Sequence, residues 1–180
     1  MALVKPVIFQ VVGYQNSGKT TFLINLIQAL TKEGIKAVTI KHHGHGGKPE
    51  SERGKDSDRH LEAGALAALV EGDGRLILTA EDSNWGLEEQ IRLMEFFQAE
   101  VILIEGHKLE LYPKLLILRN KADLSLIEKV DNINWIIYWE DSIRESIQLG
   151  IPSFHIEDKA SIQLISQTIK KYVQNIDDKC

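Results

Sequence analysis

The sequence predicts an α/β fold of three layers around a mostly parallel sheet, with a β-hairpin insertion, and three observations predict it. The run Val7-Ile8-Phe9-Gln10-Val11-Val12 is almost entirely apolar and rich in β-branched residues, as strands covered on both faces are. It leads directly into a glycine-bounded loop, Gly13-Tyr14-Gln15-Asn16-Ser17-Gly18-Lys19-Thr20. Behind the loop Phe22, Leu23, Leu26, Ile27 and Leu30 recur at helical spacing up to Gly34, and residues 35–41 then alternate as a second strand. Strand, helix and strand in this order form a crossover unit, which places its two strands parallel in one sheet.

The remaining elements follow in chain order. Residues 42–59 are polar, hold four glycines and a proline, and lack an apolar period, so they read as a long loop, with Ser57 able to cap a helix beginning near Asp58. Residues 63–70 and 75–79 are apolar runs joined by Glu71-Gly72-Asp73-Gly74, the pattern of a hairpin. Leu87, Ile91, Met94 and the Phe96-Phe97 pair suggest a helix, and residues 101–104 a core strand ending on Glu105-Gly106. Residues 115–118 form another strand, ending on Arg119-Asn120-Lys121-Ala122-Asp123. Residues 133–139 continue the alternation, followed by a helix from Asp141, a short strand near Phe154, and an amphipathic helix carrying Ile162, Ile165, Ile169 and Val173. Residues 1–180 read as a single domain, of a length that one buried core can organise.

Composition narrows the function classes. A formal net charge of −5 argues against bulk nucleic-acid binding, which needs clustered Lys and Arg. The one basic stretch, residues 41–59, is interleaved with Glu50, Glu52, Asp56 and Asp58. No apolar run reaches membrane-spanning length, and the first residues lack the pattern of a secretory signal. The single cysteine, Cys180, has no partner for an internal disulfide, which suits a reducing compartment. Cytoplasm is the expected location.

The glycine loop matches G-x-x-x-x-G-K-[ST], the phosphate loop of P-loop nucleotide-binding proteins. Gly13 and Gly18 free the backbone so that the N–H groups of Gln15, Asn16, Ser17 and Gly18 face an oxyanion, and the helix beginning there adds its positive end. Lys19 is placed to reach the β and γ phosphates, and the hydroxyl of Thr20 to ligate Mg²⁺, with Thr21 beside it. Glu105 closes a buried strand and is either a second carboxylate for the metal or an ordinary strand-end acid. Asn120-Lys121-Ala122-Asp123 has the form of a guanine-reading N-K-x-D segment, or equally of a polar turn opening a helix. His42, His43 and His45 offer three readings: metal ligands, contacts to an anion alongside Lys41, or a solvated loop.

These residues together resemble a known family. The phosphate loop with Thr20-Thr21, Thr39-Ile40-Lys41-His42, Gly54-Lys55-Asp56-Ser57 with Arg59, Ala63-Gly64-Ala65, Leu103-Ile104-Glu105-Gly106-His107-Lys108 and Pro113-Lys114 resemble the MobB family of molybdopterin-guanine dinucleotide biosynthesis adaptors. The resemblance covers nearly all of the first 120 residues. It departs at Gly44 and His45, where the family usually has two histidines, and at His107, where it favours an aromatic residue. The resemblance implies a GTP-binding homodimer with weak hydrolysis that partners the guanylyltransferase MobA, with molybdopterin as a further ligand. Lys41, His42, Asp56 and Glu105 fall on its motif positions and would join the ligand site, Asp56 and Glu105 on the metal side. Asn120 and Asp123 are not part of it.

Rapid hydrolysis requires a positive group against the transferring phosphoryl, and Arg59 is the candidate for that role in a loop expected to be mobile. Slow turnover is therefore expected. A small-molecule kinase and a metallochaperone GTPase built on the histidine loop are the competing readings.

Overall fold

The computed structural model describes residues 5–44, 56–81, 85–147 and 150–177. His45, Glu50, Glu52, Gly54, Lys55 and Cys180, all named above, lie outside the described residues. Two compact units are formed, one from residues 1–42 and 90–180, the other from residues 43–89.

The first unit is a six-stranded parallel sheet in the order β2-β5-β1-β6-β7-β8. Its strands are β1 (Val7–Gly13), β2 (Ala37–Lys41), β5 (Val101–Glu105), β6 (Lys114–Leu118), β7 (Ile133–Tyr138) and β8 (Ser153–His155). Every residue of β5 and β6 is buried, as expected for central parallel strands covered on both sides. Strand alternation divides the sheet into two faces. Phe9, Val11, Leu103, Leu115, Ile117 and Ile137 point to the layer of α1 (Lys19–Lys32) and α5 (Ala160–Asp177), where Leu26, Leu30, Ile165 and Ile169 meet them. Val12, Leu116, Leu118, Ile136 and Tyr138 point to the opposite layer, packed by Leu126, Val130 and Ile143. The second layer is built from a 3-10 helix, Lys121–Leu126, and the short α4, Asp141–Arg144.

The second unit contains α2 (Asp56–Glu62) and the antiparallel hairpin of β3 (Ala67–Gly72) and β4 (Arg75–Ala80). The helix expected near Asp58 is present from Asp56, and the hairpin is present with its first strand starting four residues later than residue 63. The reason lies at Gly64, whose φ of +106° ends the turn that follows α2; residues 63–65 close that helix by backbone bonds to Arg59, Leu61 and His60. The helix α3 (Leu87–Glu95) ends before Phe96 and Phe97, both exposed.

Register sets the functional end of the sheet. Val11 and Lys41 both stand opposite Glu105, and Gly13 stands opposite Ile117. The carboxyl ends of β1, β2, β5 and β6 thus form one rim, where open α/β sheets carry their ligands.

Candidate functional site

The loop after β1 can only be built with glycine at its two ends. Gly13 has φ +153°, and a Cβ there would stand 2.7 Å from the carbonyl oxygen of Ile117 and 2.8 Å from Ser17 Oγ. Gly18 is left-handed at φ +94° and precedes α1 without any side-chain cap. As the N-cap, Gly18 brings no side-chain acceptor of its own to the first N–H groups of α1, which suits a helix start that receives an anion. Ser17 is buried, and its Oγ has no hydrogen-bond partner among the described residues. An orphan hydroxyl in a glycine cradle fits a loop shaped for an absent ligand.

Around this cradle the side chains form a connected set. Lys19 Nζ donates to the carbonyl of Tyr14 at 2.7 Å. The Thr20 hydroxyl lies 2.9 Å from each carboxylate oxygen of Glu105. Lys41 Nζ sits 3.4 Å from Glu105 Oε1 and 3.4 Å from Thr20 Oγ1. Glu105, the strand-end acid, is buried and held at the rim by its own carbonyl, which accepts from His42 N at 2.9 Å. The structure thus gathers Lys19, Thr20, Lys41 and Glu105 from three separate segments of the sequence.

Lys19 has a pKa lowered from the ordinary lysine value, chiefly by burial. Glu105 pulls it back up, while Lys41, Arg119 and Lys108 push it down in that order. Three further cations thus act on the P-loop lysine, in a chain of net charge −5. Such local crowding of positive charge is repulsive until a polyanion arrives.

Arg119 and Lys108 were not singled out from the sequence. Arg119 Nη1 donates to the carbonyl of Gln15 in the loop at 3.0 Å. The guanidinium carbon of Arg119 and Lys108 Nζ lie 5.5 and 5.3 Å from the ring centre of Tyr14. What fixes Arg119 is Asp123: Nε donates to Oδ2 at 2.8 Å, Nη2 to Oδ1 at 2.9 Å, and the Arg119 backbone N–H to Oδ2 at 2.9 Å. The Arg119 hydrogen bond holds the buried Asp123 carboxyl below its ordinary value. Asn120 caps the 3-10 helix, its side chain accepting from Ala122 N at 3.1 Å. Both Asp123 oxygens are thus taken by a neighbour and Asn120 by a cap. These bonds are those of a polar turn opening a helix, one of the two readings open for this segment.

Trp139, also missed, follows β7 and donates from Nε1 to the carbonyl of Ser17 at 2.9 Å. Its Cζ2 lies 3.4 Å from where a Cβ on Gly18 would stand.

His42 is exposed and contacts the ring of His107, centre to centre at 4.6 Å. His107 has a lowered pKa, from burial first and His42 second, with Glu110 opposing. Behind it the buried Gln10 donates to the carbonyls of His107 at 2.9 Å and Gly106 at 3.2 Å. Asp56 and Arg59 belong to the second unit, where they pair with each other at 3.7 Å on exposed α2, and His43 belongs to that unit as well. Among the described residues no three His, Cys, Asp or Glu side chains are gathered as metal ligands. Among them, too, no helix is long and apolar enough to cross a membrane.

Comparison with known proteins places this arrangement. The family model described as MobB, molybdopterin guanine dinucleotide synthesis protein B, matches residues 8–139. The chain belongs to the MobB family. A Bacillus subtilis MobB relative, described as a probable molybdopterin-guanine dinucleotide biosynthesis adapter protein, is 44% identical over 94% of this chain and 98% of its own. A Haemophilus influenzae molybdopterin-guanine dinucleotide biosynthesis adapter protein is 34% identical over 66% of each chain. The crystal structure of Bacillus subtilis MobB superposes with a TM-score of 0.78 at 39% identity, covering 89% of this chain and 96% of that one. A MobB homologue from Bacillus stearothermophilus gives 0.72 at 29% identity, over 91% and 98%. The MobB match spans β1 through Trp139, and so includes the P-loop, Lys41, Glu105, Lys108, Arg119 and Asp123.

Proposed function

We propose that this MobB-family chain is a GTP-binding adaptor in molybdopterin guanine dinucleotide biosynthesis, acting in the cytoplasm beside the guanylyltransferase MobA and other molybdenum-cofactor assembly proteins. Residues 1–180 would act as one nucleotide-binding domain, with the hairpin unit as an insertion. The observation that carries this reading is the glycine cradle of residues 13–20, with Lys41, Lys108 and Arg119 all acting on Lys19. That charge pattern fits a nucleoside polyphosphate better than a singly charged metabolite.

Thr20 and Glu105 are the hard oxygen donors that would hold Mg²⁺ with the nucleotide, a set that matches this ion's preference. Bound there, the ion neutralises charge shared by the β and γ phosphates. Lys19 would leave the Tyr14 carbonyl for the phosphates, and the free N–H groups at the start of α1 would receive them. Lys41 and His42 border this site and offer contacts to a second anionic ligand such as molybdopterin. Arg119 is held by Asp123 and the Gln15 carbonyl, so it contributes a fixed charge to binding. Hydrolysis by the isolated chain would then be slow, below about one turnover per second, unless a partner supplies or orders an arginine such as Arg59.

Calorimetric titration with GTP, GDP and ATP, with and without Mg²⁺, tests this reading. Lys19→Ala should weaken GTP at least about tenfold by removing charge-assisted hydrogen bonds, with the thermal melt unchanged. A wild-type chain that binds no nucleotide, or a variant that binds as tightly as wild type, would overturn it.

A further inference from the structure

Sheet order gives the cradle two unlike flanks. On one side of β1 stand β5 and β2, carrying Glu105 and Lys41. On the other stand β6 and β7, followed by Arg119 and Trp139. If a triphosphate fills the loop, the pairing of Thr20 with Glu105 marks the end holding the metal and the terminal phosphates. The nucleoside then leaves towards the β6–β7 flank. There Trp139 seats one edge on the loop, with Nε1 bonded to the Ser17 carbonyl and Cζ2 and Cε2 nearest to Gly18. Its backbone is fixed by two further bonds, Trp139 N to Leu118 O at 3.0 Å and His155 Nε2 to Trp139 O at 2.8 Å. Yet the residue is 46% exposed. An indole anchored by one edge and held by its backbone, with nearly half of its surface exposed beside a phosphate cradle, is a rigid aromatic surface able to receive a flat ring.

We propose that Trp139 is the stacking platform for the nucleoside of the P-loop-bound nucleotide, so that the base is gripped by its face. The proposal rests on the nucleotide reading above and deepens it. It also accounts for how a base is held when Asp123 is committed to Arg119. Every base has a π-face, so stacking retains purines in general.

The test is calorimetric titration of the full chain and its Trp139→Leu and Trp139→Phe variants with GTP, ATP and inorganic tripolyphosphate. Trp139→Leu should weaken GTP and ATP alike by roughly five- to a hundredfold, the usual loss when a stacking aromatic is removed. Tripolyphosphate affinity should stay at the wild-type value, and Trp139→Phe should recover most of the loss. Unchanged GTP affinity in Trp139→Leu would overturn the proposal. So would an equal loss of GTP and tripolyphosphate, since the indole would then merely prop the loop through Ser17. A Trp139→Phe variant as weak as the leucine variant would also overturn it, by assigning the effect to the Nε1 bond. If wild type binds neither GTP nor tripolyphosphate, the underlying nucleotide reading falls. Fluorescence keeps the proposal testable should Trp139→Leu not fold. In a Trp85→Phe background, with Trp135 buried, GTP should shield Trp139 from acrylamide and tripolyphosphate should not; equal shielding by both would count against stacking.

Discussion

At the scale of single residues, the chemistry of this site depends on which groups are already committed. Asp123 spends both oxygens on Arg119. Asp123→Asn should therefore leave the ratio of GTP to ATP affinity as in wild type while lowering the melting temperature by several degrees; a collapse of the ratio with an unchanged melt would restore base reading. The pattern Asn-Lys-x-Asp was legible in the sequence, but its use was not, because four letters do not reveal that the preceding arginine claims the carboxylate. Lys19, Thr20 and Glu105 were legible because loop spacing and a strand end announce them. Arg119, Lys108 and Trp139 were not, since their nearness to the loop follows from which strands lie beside β1. His107 carries a pH consequence. Burial, then His42, hold its imidazole neutral in the fold, against Glu110. The unfolded chain takes up a proton as pH falls through the ordinary histidine value of 6.5, and the native chain does so only at lower pH. Stability is thus fully present above that value and declines below it. Thermal melts of His107→Gln should fall less steeply with acidification than those of wild type.

At the scale of elements, burial explains what could be read from the sequence. The central strands β1, β5 and β6 were plain because strands buried on both faces are continuous apolar runs. The 3-10 helix Lys121–Leu126 was legible only as one of two readings of its opening turn, because it is short and buries only Asp123 and Leu126. The start of β3 was misplaced because the alanines of residues 63–67 suit the turn after α2 as well as a strand. The helix behind the phosphate loop draws its stability from one stripe. Leu26 is fully buried there against the sheet and α5. Leu26→Ala should cost about 2–5 kcal/mol, read as a lower denaturation midpoint; a cost well below that would mean that α1 is held mainly by the loop.

At the scale of the whole molecule, the hairpin unit has apolar surface of its own. Leu69, Val70, Leu76, Ile77 and Leu78 are each between 41% and 58% exposed. The pairs Leu69–Leu78 and Val70–Ile77 are consecutive rungs of the ladder, so they face opposite sides of the hairpin. A two-stranded hairpin apolar on both faces calls for cover, which suits the homodimer that the family resemblance implies. If the wild-type chain sediments as a dimer, replacing Val70 and Ile77 together by lysine should convert it to a monomer. A variant that sediments as the wild type does would assign this apolar surface another role.

The bond from Lys19 to the carbonyl of Tyr14 bears on how a ligand would come and go. An unliganded lysine without a protein acceptor would hand its donors to water and trade that water for phosphate oxygens on binding. Here the ammonium already has a neutral acceptor on its own backbone, so loading trades one acceptor for another, and the reverse trade is waiting whenever the ligand departs. Such an exchange lowers the net gain that the lysine contributes on loading, because one charge-assisted bond is given up for each one made.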